Sequence, residues 1–345
     1  MNGAFMKENK GIIAAALLIL MLSGCYSSYE LNSETAAPDI TTATETDEQT
    51  EQTVSETEEE TAVLSETVTE GSKMDRYRDM IVEMAPAGYD EKKAGVKYSE
   101  FEKFTYYSNT AERDTNVNVL LPPDYSEDKK YPVLYILHGF WDNEDWMARP
   151  VVNLNVIYGN LLAEGKAAEM IIVLPYIFCD KELPACTGMD LKNSLAYDNF
   201  INDLTTDLMP FIESSFSVAT GRDNTAITGF SMGGRESLFI SCELPDKFGY
   251  VGAVCPAPGL VEIPGSGMHP GQLKQEDMKY GDNMPYVLFI SSSKADNVVT
   301  TFPDLYRKIY TENGVDFLSH ELTSTGHDHS SVKPHLYNYL QFLFK

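Results

Sequence analysis

The sequence predicts a doubly wound α/β fold, with a mostly parallel sheet and helices on both faces. Continuous apolar runs at 133–137, 170–174, 225–228, 250–254 and 286–290 alternate with helical patterns at 152–164, 197–216, 232–243, 302–313 and 332–344. Apolar runs without polar alternation are typical of strands buried on both faces, as in a parallel sheet. Because strand and helix alternate along the chain, the pattern favours a single doubly wound domain.

Two further strand patterns differ from this parallel set. Residues 116–121 alternate between polar and apolar side chains, and together with 101–107 they predict leading antiparallel strands at one edge of the sheet. A last strand is predicted at 316–322, just before the final helix.

The amino terminus has the pattern of an export signal. Lys7 and Lys10 precede an apolar run at 11–22, which is short for a membrane span and ends in small residues. The closing Leu22-Ser23-Gly24-Cys25 resembles the lipobox of bacterial lipoproteins, in which the cysteine is lipidated. We therefore predict a lipoprotein-type signal at 1–25 with Cys25 as the lipid anchor. A plain secretory signal is the alternative, and both place the mature protein outside the cytoplasm.

Residues 26–72 form an acidic segment rich in Thr, Ser and Glu. It contains thirteen Asp or Glu and no Lys or Arg, so it cannot bury enough apolar surface to offset chain entropy. A coil of this length spans about 40 Å. We predict a disordered tether, followed by one α/β domain of about 270 residues at 73–345.

The charge of the chain argues against a nucleic-acid partner. The formal net charge is −26, of which about −14 belongs to residues 73–345. An acidic domain on an acidic tether is repelled by phosphate backbones. Neutral or weakly charged substrates fit better, and membrane contact is expected through the lipid anchor only.

Four cysteines lie in the predicted domain. Cys179 and Cys186 are close together in a loop-like stretch, where an oxidising compartment would allow a disulfide. The sequence leaves open whether this disulfide forms. Cys242 and Cys255 lie in apolar runs, and we expect them to be small buried core residues.

The segment Gly229-Phe230-Ser231-Met232-Gly233 follows a predicted strand and opens a predicted helix. This Gly-x-Ser-x-Gly pattern is that of a nucleophile elbow, in which a sharp strand-to-helix turn exposes the serine hydroxyl. The flanking glycines allow the crowded backbone of such a turn. The alternative is a glycine-rich turn with an incidental serine, but the strand before and the helix after it favour Ser231 as a nucleophile.

A serine nucleophile needs a histidine base, which in this fold type comes last in the chain order Ser, Asp or Glu, His. Six histidines are present, and only His327 and His329 lie in the loop after the last predicted strand. We favour His327, because it follows that strand more closely and Gly326 lets the loop turn inward. A His-x-His pair could also bind a metal, but no second histidine pair or cysteine cluster lies nearby. No metal or cofactor is expected.

The candidate acid is Asp296, which follows the predicted strand that ends near Ser291. It lies between Ser231 and the histidine in the chain, as the required order demands. Asp304 is the alternative, although it opens a predicted helix, where carboxylates commonly serve the first turn.

The oxyanion hole of such a site uses two backbone N–H groups. Met232, directly after the nucleophile, is expected to supply one, and Phe140, on the loop after the first parallel strand, the other. Trp141 and Trp146 lie on the same loop and are candidate substrate-binding residues, because an exposed indole stacks on sugars or aromatic acids. Packing beneath the loop is the alternative for both tryptophans.

Over residues 106–345 the chain resembles the esterase D-like group of α/β-hydrolases, especially the feruloyl and acetylxylan esterases of carbohydrate esterase family one. The segments that carry the resemblance are 131–139, 165–166, 229–234, 246–248, Asp296 and 326–328. The resemblance implies an α/β-hydrolase fold, ester hydrolysis and a triad of Ser231, Asp296 and His327. Lys294-Ala295, before Asp296, departs from the glycine and small polar residue more often found there.

From these residues and this resemblance we expect a secreted or surface-anchored serine carboxylesterase. Its expected substrate is a polysaccharide ester, the feruloyl or acetyl group on plant cell-wall xylan. A siderophore esterase or an acyltransferase of the same fold is one alternative. A non-catalytic surface module that binds carbohydrate is another.

Overall fold

The structure is a computed structural model that describes residues 73–263 and 269–345. The predicted signal with its anchor Cys25, and the predicted tether, lie outside the described residues. Within the described residues, no helix combines the length and the apolar character that a bilayer crossing requires.

One eight-stranded sheet organises the described part of the chain, in the order β1-β2-β4-β3-β5-β6-β7-β8. The edge strands β1 and β2 are antiparallel to each other, β2 is antiparallel to β4, and the other neighbours are parallel. The strands are β1 (Glu102–Ser108), β2 (Arg113–Leu120), β3 (Val133–Leu137), β4 (Ile171–Pro175), β5 (Thr225–Gly229), β6 (Tyr250–Val254), β7 (Val287–Ser293) and β8 (Leu318–Leu322).

Helices precede, connect and follow the strands. They are α1 (Lys73–Met80), α2 (Leu154–Ala163), α3 (Leu191–Asp198), α4 (Phe200–Asp203), a π-helix at Leu204–Leu208, α5 (Met209–Ser215), α6 (Met232–Glu243), α7 (Phe302–Glu312) and α8 (His329–Tyr339), with 3₁₀ turns at Arg222–Asn224 and Gln275–Asp277. The predicted doubly wound α/β class, including the antiparallel edge, is confirmed.

The helix predicted at 197–216 is wrong in detail. Helix α3 begins earlier, at Leu191, because the Asp190 carboxylate accepts the Asn193 N–H and caps it. The remainder divides into α4, the π-helix and α5. Pro210 has no N–H to donate to residue 206, so regular α-helical bonding fails there and the wider π-turn precedes it.

The two faces of the sheet bury two apolar clusters. Along β3, Val133, Tyr135 and Leu137 face one cluster, while Leu134 and Ile136 face the other. Every residue of β3 to β7 is buried, which explains the continuous apolar runs in the sequence.

The strand order brings the loops after β3 and β5 to the same edge of the sheet. The chain moves from β3 outward to β4, then returns to add β5 on the other side of β3. The carboxyl ends of β3 and β5 therefore meet at a topological switch point, where open α/β sheets bind their ligands.

A buried hydrogen-bond chain ties the strands together below this point. Thr228 Oγ1 lies 2.9 Å from His335 Nε2, His335 Nδ1 lies 2.7 Å from Ser291 Oγ, and Ser291 Oγ lies 2.9 Å from His320 Nδ1. His320 Nε2 lies 2.9 Å from the carbonyl oxygen of Glu83, which can only accept. With both rings neutral, each donor is fixed in turn: His320 Nε2 donates to the carbonyl, Ser291 to His320, His335 Nδ1 to Ser291, and Thr228 to His335. Burial lowers the pKa of both rings.

The disulfide considered for Cys179 and Cys186 is not formed, and both are free thiols. Cys179 is buried, whereas the Cys186 thiol donates to the Gly188 carbonyl at 3.4 Å. Cys255 is fully buried as expected, and Cys242 is half-buried against the core.

Candidate active site

Ser231 lies on the turn between β5 and α6, and its backbone has the unusual dihedral angles of a sharp strand-to-helix elbow. Its φ is 54° and its ψ is −112°, a left-handed conformation that non-glycine residues rarely adopt. The turn is closely packed on both sides. A Cβ on Gly229 would lie 2.4 Å from the Gly233 carbonyl, and one on Gly233 would lie 2.3 Å from the Leu137 oxygen. Both glycines are therefore needed for the turn to fit against β3.

The structure brings Ser231, His327 and Asp296 into one hydrogen-bonded line. Ser231 Oγ lies 2.8 Å from His327 Nε2, and His327 Nδ1 lies 2.6 Å from Asp296 Oδ2. Because Asp296 can only accept as a carboxylate, Nδ1 carries the proton and Nε2 is free to accept from the serine. This is the arrangement of a nucleophile, a base and an orienting acid.

Asp296 is buried and still ionised. Burial by itself would raise the pKa of this carboxyl. Hydrogen bonds from His327 and from the N–H groups of Val298 and Val299, at 2.9 and 3.2 Å, hold its pKa below the ordinary value. The carboxylate therefore stays charged and keeps the imidazole in one orientation.

The His327 loop is fixed by the start of α8. Ser331 Oγ donates to the Gly326 carbonyl at 2.6 Å, and the Gly326 N–H donates to Ser330 Oγ at 3.1 Å. Asp328 caps the helix by accepting the Ser330 N–H at 2.7 Å. The base is thus supported on both sides within the chain.

The two predicted oxyanion donors lie on adjacent elements. Met232 is the first residue of α6, where N–H groups have no intrahelical acceptor. Phe140 lies three residues beyond β3, on a loop where a Cβ on Gly139 would lie 3.2 Å from the Phe230 ring beside the nucleophile. Met232 is therefore adjacent to Ser231 in the chain, and Phe140 follows β3 at the switch point, as the prediction of an oxyanion hole requires.

Several contacts hold the Phe140 loop. His138 donates through Nδ1 to the Gly139 carbonyl at 2.8 Å and accepts the Ile177 N–H through Nε2 at 3.0 Å. Its burial lowers its pKa to about 4, so the ring remains neutral. The edge strand β2 also supports this loop, because Asn118 Nδ2 donates to the Glu144 carbonyl at 2.9 Å.

The two tryptophans differ. Trp141 is 54% exposed, and its backbone N–H donates to the Tyr197 hydroxyl at 3.1 Å, so its indole is available to a ligand. Trp146 stacks on Phe230 with centroids 5.1 Å apart, and Phe230 in turn packs on the His327 ring at 4.6 Å. This favours packing, rather than substrate stacking, as the role of Trp146.

The rejected alternatives lie elsewhere. Asp304 is on the first turn of α7, where it pairs with Arg307, and His329 begins α8. Among the described residues, one group offers three potential metal-ligand atoms within 4.8 Å of one another: Cys255, Asp296 and His327. Asp296 and His327 of this group are already hydrogen-bonded to each other within the line that begins at Ser231.

Two further charged residues lie close to the elbow. Burial raises the pKa of Asp142, on the Phe140 loop, to about 6, against the opposing charges of Arg149 and His327. Arg235, one turn into α6, is buried and paired with Asp198 and Glu236. Arg235 therefore has a structural role: its ion pairs join α3 to α6.

A comparison with protein-family models identifies the family of this chain. The family model described as "Putative esterase" matches residues 108–299, a segment that contains Ser231 and Asp296. The chain belongs to this esterase family.

Solved structures agree with this membership. The CE1 ferulic acid esterase of the anaerobic fungus Anaeromyces mucronatus, without substrate, is 40% identical with a TM-score of 0.72, over 76% of this chain and 97% of that one. The same fungal enzyme in complex with ferulic acid gives a TM-score of 0.71 with the same identity and coverage. The esterase is therefore a feruloyl-esterase-like carboxylic ester hydrolase of the CE1 type.

A curated relative is the endo-1,4-beta-xylanase/feruloyl esterase of Xylanibacter ruminicola. It is 29% identical over 163 residues, which is 46% of this chain and 22% of the relative. The esterase thus spans about a fifth of the length of that protein.

The strained backbone at Ser231 predicts that glycine stabilises the protein more than alanine at this position, the reverse of the usual order in a helix. We expect Ser231→Gly to be more stable than Ser231→Ala by about 1 kcal/mol, because glycine adopts a positive φ without strain. Denaturant unfolding of the two inactive variants measures the difference. At Ser214, on the exposed face of α5, the same pair should show the opposite order, since glycine destabilises a helix. An alanine variant at 231 as stable as the glycine variant would contradict the strained elbow.

Proposed function

We propose that the esterase removes feruloyl groups from plant cell-wall xylan through a Ser231–His327–Asp296 triad, with acetyl groups as the second candidate. The observation that carries the proposal is the unbroken hydrogen-bond line from Ser231 Oγ to Asp296. The likeness to enzymes that are named ferulic acid esterase supports the acyl group. The xylanase part of the Xylanibacter relative's name supports xylan as the polymer.

Acylation follows from the geometry. His327 Nε2 takes the Ser231 proton as Oγ attacks the ester carbonyl, and Asp296 stabilises the imidazolium that forms. The Met232 and Phe140 N–H groups hold the oxygen that becomes negative in the tetrahedral intermediate. As that intermediate collapses, the imidazolium gives its proton to the leaving sugar hydroxyl. The product of this half-reaction is a feruloyl ester on Ser231.

Deacylation reverses the roles. His327 takes a proton from water, the hydroxide attacks the acyl-serine carbonyl, and the second tetrahedral intermediate releases ferulate as Ser231 recovers its proton. Trp141 is an exposed aromatic side chain on the Phe140 loop. We assign it to stacking against the feruloyl ring or the sugar.

The direct test is release of ferulate and acetate from arabinoxylan by the wild-type chain and by Ser231→Ala. We expect ferulate release by the wild type and a loss of at least about 1,000-fold in the variant, because removal of the nucleophile leaves only binding and oxyanion stabilisation. Chromatography of the released acids measures both products. Ser214→Ala is the matched control and should behave as wild type.

The other outcomes separate substrate from mechanism. Serine-dependent hydrolysis of a simple chromogenic acetate ester, without release from arabinoxylan, would contradict the xylan substrate and direct the search to siderophore esters. Ester hydrolysis undiminished in Ser231→Ala would contradict the triad itself.

We also propose that the esterase is exported and anchored by a lipid on Cys25. The basic residues, the short apolar run and the Leu22-Ser23-Gly24-Cys25 sequence support this proposal. In bacteria that express the full chain and are fed an alkyne-labelled fatty acid, we expect labelled protein in the membrane fraction. Cys25→Ala should lose the label, while Cys186→Ala keeps it. A label that persists in Cys25→Ala would contradict lipidation at Cys25.

A further inference from the structure

The thiol of Cys255 lies directly behind the catalytic machinery and has no place in the mechanism above. Its Sγ, a carboxylate oxygen of Asp296 and a ring nitrogen of His327 all lie within 4.8 Å of one another. Cys255 is 0% exposed. The thiol therefore faces the acid of the triad from the side of β6, in a place that solvent does not reach.

The backbone of Cys255 is strained. It follows β6 with a φ of 47°, a left-handed conformation that costs a non-glycine residue free energy. Pro256 follows, which restricts the preceding residue further toward extended conformations. The Cys255 N–H donates to the Ser291 carbonyl of β7 at 2.8 Å, so the strand pairing holds the residue in place. Strain of this kind persists where the surrounding structure fixes it, and it is concentrated at functional sites.

The acceptor capacity of Asp296 indicates what the thiol does. An ionised carboxylate has about four acceptor positions. Oδ1 accepts the N–H groups of Val298 and Val299, and Oδ2 accepts Nδ1–H of His327. One position on Oδ2 is left for another donor, and the Asp296 side chain is only 1% exposed. Buried charges require such partners.

The other polar groups against the thiol are the Ser331 hydroxyl and the backbone of Ser293. The Ser331 hydroxyl proton is used on the Gly326 carbonyl at 2.6 Å, and the Ser331 oxygen lies 2.7 Å from Thr325 Oγ1. Of the acceptors within reach of Cys255, the charged carboxylate is the strongest one.

We infer that Cys255 is a positioning residue whose S–H donates the fourth hydrogen bond to Asp296. This inference rests on the proposed function of Ser231, Asp296 and His327. The thiol holds the carboxylate in its orientation and disperses part of its charge away from His327. Burial and the negative charge of Asp296 raise the pKa of the thiol, so the proton needed for donation is retained.

The test compares Cys255→Ala and Cys255→Gly, which remove the donor, with Cys255→Ser, which restores one. Hydrolysis of methyl ferulate across pH, together with thermal unfolding, is measured for each. For the Ala variant we expect kcat to fall about threefold to tenfold with KM within about twofold, because the lost contact acts on the chemical step. The acid limb of the rate profile should move to higher pH, since a less dispersed carboxylate charge holds the imidazolium proton more tightly.

The other variants separate this role from packing. Cys255→Ser should recover both kcat and the acid limb. Cys255→Gly relieves the left-handed strain, so it should be at least as stable as the Ala variant and yet lose as much activity. Cys242→Ala removes a half-buried thiol on the far end of α6 and should leave both readouts unchanged.

Three results would overturn the inference: wild-type kcat and pH profile in Cys255→Ala, equal loss in the Ser and Ala variants, or activity that follows stability with an unmoved acid limb. The low-field proton resonance of His327 Nδ1–H tests the contact without turnover. It should shift in the Ala and Gly variants and return in the Ser variant, and an unmoved resonance would also overturn the inference. Absence of Ser231-dependent hydrolysis in the wild type would instead count against the proposed function.

Discussion

The left-handed turn at Ser231 is the constraint on which the site depends. A positive φ at a serine is unfavourable by itself, and it persists because Gly229 and Gly233 let the turn press against the Leu137 and His138 carbonyls. That close approach brings the end of β3 beside the nucleophile and places Met232 at the start of α6. The same packing therefore fixes the serine on its turn and places the first residue of α6 beside the loop that carries Phe140.

The rest of the fold serves to hold the half-buried His327 and the buried Asp296 in line with that serine. Asp296 remains ionised because three hydrogen bonds from His327, Val298 and Val299 offset its burial. His327 is held between the α8 cap and the Phe230 ring. Below them, the Thr228 to Glu83 chain of neutral histidines and hydroxyls fixes the strands that carry the nucleophile and the acid. A site of this kind is preorganised, so little reorganisation accompanies charge development.

Much of this could be predicted from sequence, because its signals are local. The apolar runs identify the buried strands, and the elbow glycines and the chain order of Ser231, Asp296 and His327 identify the line that the structure brings together. The helix predicted at 197–216 is wrong because single residues, the Asp190 cap and Pro210, decide where α3 starts and where the helix breaks before α5. Other features are non-local. The packing of Trp146 on Phe230, which distinguishes it from the exposed Trp141, joins separate segments of the chain. The placement of Cys255 behind Asp296 requires β6 and β7 to be neighbours, which the sequence alone does not state.

Activation of Ser231 by His327 can be measured with a fluorophosphonate probe, because such a probe phosphonylates serine hydroxyls that a base activates. We expect a single labelled serine, Ser231, identified by peptide mass spectrometry. Labelling should fall sharply in His327→Ala and stay at the wild-type rate in His329→Ala, a histidine two residues away outside the hydrogen-bond line. Equal labelling of wild type and His327→Ala, or labelling of another serine, would show that His327 does not activate Ser231.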